Sequence, residues 1–135
     1  MSEGLVGIKR LTKNDLSWLE PGSSSHQSGI NLPLRQFEKM FPEISRAEGS
    51  PRLTFQVFWN NKSGDRFAAT VNDVVWYSSK NELRLLHVGK VSLPGIASAG
   101  DLIAIKRMDR SLEVHVLPSG TERILEIIGY GEALP

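Results

Sequence analysis

The strongest constraint on the fold is a period of two. Between Arg52 and Trp59 the apolar residues Leu53, Phe55, Val57 and Trp59 fall at every second position, the pattern of a strand with one buried face. Similar β-rich runs recur along the chain. Leu5 to Leu11 and Gly29 to Leu32 precede this run. Arg66 to Tyr77 follows it across a turn at Asn60 to Asp65, with a bulge expected near Asn72-Asp73. Leu83 to Val88 comes next, and Asp101 to Met108 and Leu112 to Leu117 form a second hairpin across Asp109-Arg110. That makes about seven strands, separated by turn residues. Short strands at such spacing favour a small barrel or sandwich over a parallel sheet.

Two short helices complete the expected fold. Pro33 suits the first position of a helix, where its missing N–H costs nothing. Leu34, Phe37, Met40 and Phe41 then share one face, Pro42 marks the end, and Arg35 and Lys39 are left as solvent charges. Such a helix would plug a barrel end. Ser119 and Glu122 match a capping box, opening a helix with Ile124, Leu125, Ile127 and Ile128 that Gly129 and Gly131 stop. The expected class is therefore mainly β with two short helices, an open seven-stranded barrel. At 135 residues the chain has room for one domain, spanning 1–135.

Composition narrows the functional classes. Net charge is +1, from 16 basic and 15 acidic residues, so any nucleic-acid surface must be a local patch. The absence of cysteine excludes disulfides, thiol catalysis and cysteine-based zinc sites. No apolar run approaches membrane-spanning length and no signal-peptide core is present. The expectation is a soluble, cytoplasmic protein.

No catalytic constellation stands out. His26, His87 and His115 form no pair at metal-binding spacing, and His87 and His115 sit in strand patterns. Ser23-Ser24-Ser25-His26 lacks a nucleophile elbow and an orienting acid. No glycine-rich phosphate cradle and no Asp plus Glu-x-Lys cluster is present. The reading is a chain without enzyme activity, metal or cofactor.

One segment does carry recognition chemistry. Ser78-Ser79-Lys80-Asn81-Glu82-Leu83-Arg84 lies between two strand-like runs and offers an ammonium, an amide, a carboxylate and a guanidinium. Lys and Arg donate to guanine, Glu accepts from the cytosine amino group, and Asn can do both. Alternation would point Lys80, Glu82 and Arg84 the same way and turn Leu83 to the core. The competing reading is a solvated turn with an incidental charge set. A second long segment, Thr12 to Ser28, is rich in turn formers, with Lys9, Arg10 and Lys13 at one end and His26-Gln27 at the other. It could be an arm reaching around a ligand or a plain loop.

Three ordered segments carry a family resemblance: Ile8 to Asp15, His26 to Pro33, and Lys80 to Arg84. They resemble the N-terminal effector domain of EcoRII-type (Type IIE) restriction endonucleases. The resemblance continues through Phe37-Glu38-Lys39-Met40-Phe41-Pro42 to Gly131-Glu132-Ala133-Leu134-Pro135. It implies a DNA-binding pseudobarrel of the kind shared with plant B3-type transcription-factor domains. It also implies two arms that clamp double-stranded DNA at CC(A/T)GG, with the nuclease in a separate C-terminal domain.

Carried over by position, His26, Asn31, Lys80, Asn81, Glu82 and Arg84 would read bases. Lys9, Arg10, Lys13, Ser24, Ser25, Gln27, Ser79 and Lys90 would hold phosphates, setting register and salt dependence. Departures are visible. Leu83 and Ser78 stand where basic residues are expected, and Asn31 where an aromatic is expected. They imply fewer contacts and weaker or relaxed binding. A monomer in isolation is expected. The alternative from another class is a protein or peptide interaction barrel with no nucleic-acid role. A positive stripe from the first arm to Lys90 would argue against it.

Overall fold

The computed structural model describes residues 6–12, 29–49, 51–86 and 97–121. Seven strands build it: β1 (Val6–Arg10), β2 (Ile30–Leu32), β3 (Arg52–Asn60), β4 (Arg66–Tyr77), β5 (Glu82–Leu85), β6 (Leu102–Arg107) and β7 (Ser111–Leu117). They form one sheet in the order β1-β6-β7-β3-β4-β5-β2. The sheet curls into a nearly closed barrel, and the seam lies between β1 and β2, its two unpaired ends. All pairings are antiparallel except β3 with β7, which run parallel from Gln56↔Ser111 to Asn60↔His115. The barrel is therefore mixed.

The period-two pattern explains the interior. Phe55, Val57 and Trp59 of β3, Val74 and Trp76 of β4, and Leu83 and Leu85 of β5 point inward and are buried. Ile103 and Ile105 of β6 and Leu112, Val114 and Val116 of β7 join them. One inward polar chain is satisfied locally. Trp59 Nε1 donates to Thr70 Oγ1 at 2.8 Å, Thr70 bonds Asn72 Oδ1, and Asn72 Nδ2 donates to Leu86 O at 2.9 Å. A smaller cluster of Ile8 and Leu102, with Val6, Ala104 and Leu117, lies on the other side of β1–β6–β7.

Two expectations about local geometry are corrected. The bulge is not at Asn72-Asp73, where Phe55↔Asn72 and Thr54↔Asp73 keep register. It lies beside the turn, between Trp59↔Ala68 and Asn60↔Arg66, with Phe67 as the extra residue. The first helix is shorter than its apolar spacing suggests. Pro33 is its N-cap, accepting from Phe37 N at 3.0 Å. The helix α1 covers only Leu34–Phe37. After Glu38 N donates to Leu34 O, Met40 N turns to Phe37 O at 3.1 Å, a tighter turn, and Pro42 has no N–H with which to resume the ladder. Single turns then carry the chain to Arg46, at φ 63°. Phe37, Met40 and Phe41 are still buried together, and Arg35 and Lys39 are exposed. At the C-terminal end a 3-10 turn covers Ser119–Thr121; Glu122 and the helix expected after it lie outside the described residues.

The segment after α1 closes one end of the barrel. Arg107, at the end of β6, is 8% exposed. Its Nη1 donates to Met40 O at 2.7 Å and to Glu43 Oε1 at 2.9 Å, and its Nη2 to Glu43 Oε2 at 2.6 Å. The guanidinium also lies 5.1 Å from the Phe55 ring and 5.7 Å from that of Phe41. The Arg107 hydrogen bonds hold the Glu43 carboxyl below the usual carboxylate range, against a smaller opposing effect of burial.

Candidate nucleic-acid interface

Strand direction decides what the connections can reach. β5 runs antiparallel to both β4 and β2, with Tyr77↔Glu82, Val75↔Arg84 and Arg84↔Asn31 as partners. The 78–81 turn therefore caps one rim of the barrel. The connection from Thr12 to Gly29 begins and ends at the other rim, beside Leu102 and Leu85. Along β5 the two rims are about 13 Å apart at a strand rise of about 3.3 Å per residue.

Between the rims the outer face of β4–β5–β2 carries the candidate reading groups. Directly paired residues on adjacent strands point to the same side. Inward Leu83 and Leu85 therefore leave Glu82 and Arg84 facing out, with Tyr77, Val75 and Asn31 beside them. Arg84 Nε donates to Glu82 Oε2 at 3.0 Å, and Nη2 lies 3.0 Å from the same oxygen as an ion pair. The Arg84 guanidinium sits 5.6 Å from the Tyr77 ring centroid. Both charged side chains are about a quarter exposed, 21% for Arg84 and 27% for Glu82. They are reachable yet fixed.

The turn itself is less regular than alternation suggests. Lys80 N donates to Tyr77 O at 3.1 Å, and Asn81 has φ 52°. Lys80 thus belongs to the turn, and only Glu82 and Arg84 follow the strand period. Ser79, Lys80 and Asn81 are exposed at the tip. A non-glycine residue at positive φ is most easily Asn, whose short polar side chain tolerates this region.

The same outer face continues onto β3. Arg52 pairs with Val75, so Arg52, Val75, Arg84 and Asn31 form one row over four strands. Arg52 Nη1 meets Asp73 Oδ2 at 3.0 Å, and Thr54 Oγ1 donates to Asp73 Oδ1 at 2.7 Å. Each arginine of this face is matched to a carboxylate. Its described surface is a balanced polar lattice with one further cation, Lys80, at the tip. Among the described residues no group of three or more His, Asp or Glu could hold a metal ion. No helix among them is long and apolar enough to cross a membrane.

The remaining candidates divide in two. Lys9 and Arg10 stand at the end of β1, at the root of the Thr12–Gly29 connection. By alternation Lys9 shares the inward side with Gly7, while Arg10 faces out and its Nη1 donates to Gly100 O at 3.4 Å. Lys13, Ser24, Ser25, His26, Gln27 and Lys90 lie outside the described residues, as does the stripe expected to join them. Alternation placed Lys80, Glu82 and Arg84 on one side, and of these only Glu82 and Arg84 share the face; Asn31, carried over from the resemblance, lies beside Arg84, and alternation within one strand could not bring Tyr77 to them. An aromatic at the end of a strand looks like any other until cross-strand register is known.

Comparison with known proteins agrees with this architecture. No curated protein matches the chain. The family described as restriction endonuclease EcoRII, N-terminal, matches residues 1–134. A match over nearly the whole chain, on a seven-stranded pseudobarrel of the expected kind, places the protein in a family of DNA-binding effector domains: the chain belongs to the EcoRII N-terminal domain family of restriction endonucleases.

Proposed function

We propose that this domain binds double-stranded DNA in a sequence-specific way, as the effector domain of a Type IIE restriction endonuclease recognising CC(A/T)GG. The observation that carries this reading is the Glu82–Arg84 pair, held side by side on the outer face of β5. A carboxylate and a guanidinium there suit the cytosine amino group and the guanine O6 and N7 of a G·C-rich site. β2 and β5 make a two-stranded ribbon at the edge of the sheet. A ribbon of that kind fits the major groove, which is about 12 Å wide. The connection between Thr12 and Gly29 starts and ends at one rim of the barrel, and the 78–81 turn lies at the other. Two arms placed so can embrace a duplex lying across the ribbon.

In this reading Lys80 and Asn81 reach bases with Glu82 and Arg84, and Asn31 and His26 add to the reading set. Arg10, Lys13, Ser24, Ser25, Gln27, Ser79 and Lys90 hold phosphates, while Lys9, turned inward, is the weakest of the phosphate candidates. The domain acts as a monomer in the cytoplasm without metal or cofactor. The chemistry belongs to a separate C-terminal nuclease domain.

The test is a titration against a short duplex carrying CC(A/T)GG and against a scrambled duplex, at two salt concentrations. Tight, site-selective binding supports the reading. Equal and steeply salt-dependent binding to both duplexes means generic phosphate attraction. No binding at low salt retires DNA recognition in favour of a protein or peptide interaction barrel.

A further inference from the structure

We infer that Tyr77 is a positioning residue that sets the orientation of Arg84 and, through it, the sequence discrimination of the domain. This inference rests on the DNA-binding reading above. A guanidinium discriminates only when its plane is aligned with a base edge, because its donors form a fixed planar fork. Two contacts are needed to fix a plane at the end of a flexible side chain. Glu82 supplies the contact at the edge, since Oε2 accepts from Nε at 3.0 Å and lies 3.0 Å from Nη2. This turns the Nη1–Nη2 edge away from Glu82. The Tyr77 ring supplies the contact over the fork, 5.6 Å from the Arg84 guanidinium carbon, within the range of attraction between a cation and an aromatic face.

Tyr77 is itself held on two sides. It is the cross-strand partner of Glu82, and its carbonyl accepts from Lys80 N at 3.1 Å to start the turn. One rung below, Val75 is buried beside the stem of Arg84. A base edge meeting Arg84 therefore finds a group already oriented, and less freedom is lost on binding. Leu83, on the other face, is buried in the core and cannot share this work.

Two measurements on the full chain test the inference. The first needs no DNA. The Nε–H resonance of Arg84 is expected to carry a ring-current shift and slow exchange in the free protein. Both should persist in Tyr77→Phe and be lost in Tyr77→Leu. An unchanged resonance in Tyr77→Leu would overturn the positioning role whatever the protein binds.

The second is the ratio of affinities for CC(A/T)GG and scrambled duplexes. Tyr77→Leu should lower it about fivefold, mainly through the cognate duplex. Tyr77→Phe should keep it, and Tyr77→Leu should have no further effect in an Arg84→Ala background. Equal losses on both duplexes, or a loss in Tyr77→Phe as large as in Tyr77→Leu, would overturn the role in specificity. A wild-type protein that does not discriminate would instead overturn the proposed target, and the Arg84 resonance would still decide whether Tyr77 positions it.

Discussion

Asn81 stands at φ 52° in an exposed turn, so its backbone has a reason to be Asn before any ligand is considered. Replacing it tests two roles separately. Asn81→Gly suits the left-handed region and should leave unfolding stability within a few tenths of a kcal/mol, whereas Asn81→Ala should cost about 1 kcal/mol. If the side chain also reads a base, Asn81→Gly will lose discrimination between cognate and scrambled DNA while remaining fully folded. Glu82 has a double role of another kind. It is a candidate partner for cytosine and also the group that holds Arg84. Glu82→Ala should therefore flatten discrimination by about fivefold or more, since a good base contact is worth about 1–3 kcal/mol. Part of that loss should come from sites where cytosine is unchanged. Equal losses on both duplexes would count against base readout.

At the scale of elements the seam decides how the barrel is held shut. β1 and β2 do not pair, and α1 stands in for the missing strand contact. Gln36 Oε1 accepts from Ile8 N at 2.7 Å, giving a backbone donor of β1 the partner a neighbouring strand would have given. Phe37 packs where β1 has no side chain. A Cβ on Gly7 would come within 2.5 Å of the Phe37 ring. Gly7→Ala should thus destabilise by about 1–3 kcal/mol through overpacking, read as a lower denaturant midpoint with an unchanged slope.

These contacts also show what was legible in the sequence. The alternation of Leu53, Phe55, Val57 and Trp59 gave the buried face of β3, and the inward turn of Leu83 followed from the same rule. A strand period is local, and both features lie within one strand. The parallel partnership of β3 with β7, the displacement of the bulge to Phe67 and the approach of Arg84 to the Tyr77 ring all depend on register between strands. Register is set by packing across the barrel, which no single stretch encodes. The first helix is present but stops early, for a related reason. Its apolar spacing was right, but the backbone from Glu38 to Arg46 holds the same side chains inward with separate turns.

For the molecule as a whole, ion pairs differ sharply in weight according to where they lie. Arg52 and Asp73 meet on the outer face with the arginine side chain 57% exposed, so Arg52→Ala should shift stability by no more than about 1 kcal/mol. Arg107 sits buried between the rings of Phe41 and Phe55 and carries the Met40 carbonyl. Arg107→Ala should cost about 2 kcal/mol or more, from the unpaired carbonyl and the lost packing. The pair also imposes a pH dependence. The folded state holds Glu43 below its ordinary value of 4.5, chiefly through Arg107. Its contribution is fully present above the unfolded value and is lost as pH falls through the folded one. The urea midpoint should therefore drop on going from neutral pH to about pH 3, and the drop should be smaller in Glu43→Gln.

The one parallel pairing sets an order of events in time. β3 lies at the centre of the sheet, yet one of its flanks is covered only by β7, near the other end of the described chain. As the chain leaves the ribosome, the β3–β4–β5 meander can pair early, but Gln56 to Asn60 must wait for Ser111 to His115. Until then the inward residues of β3 have only half of their wall. Contacts so distant in sequence make closure slow relative to hairpin formation. During that interval the open flank of β3 is the surface at which two nascent copies would join by mistake.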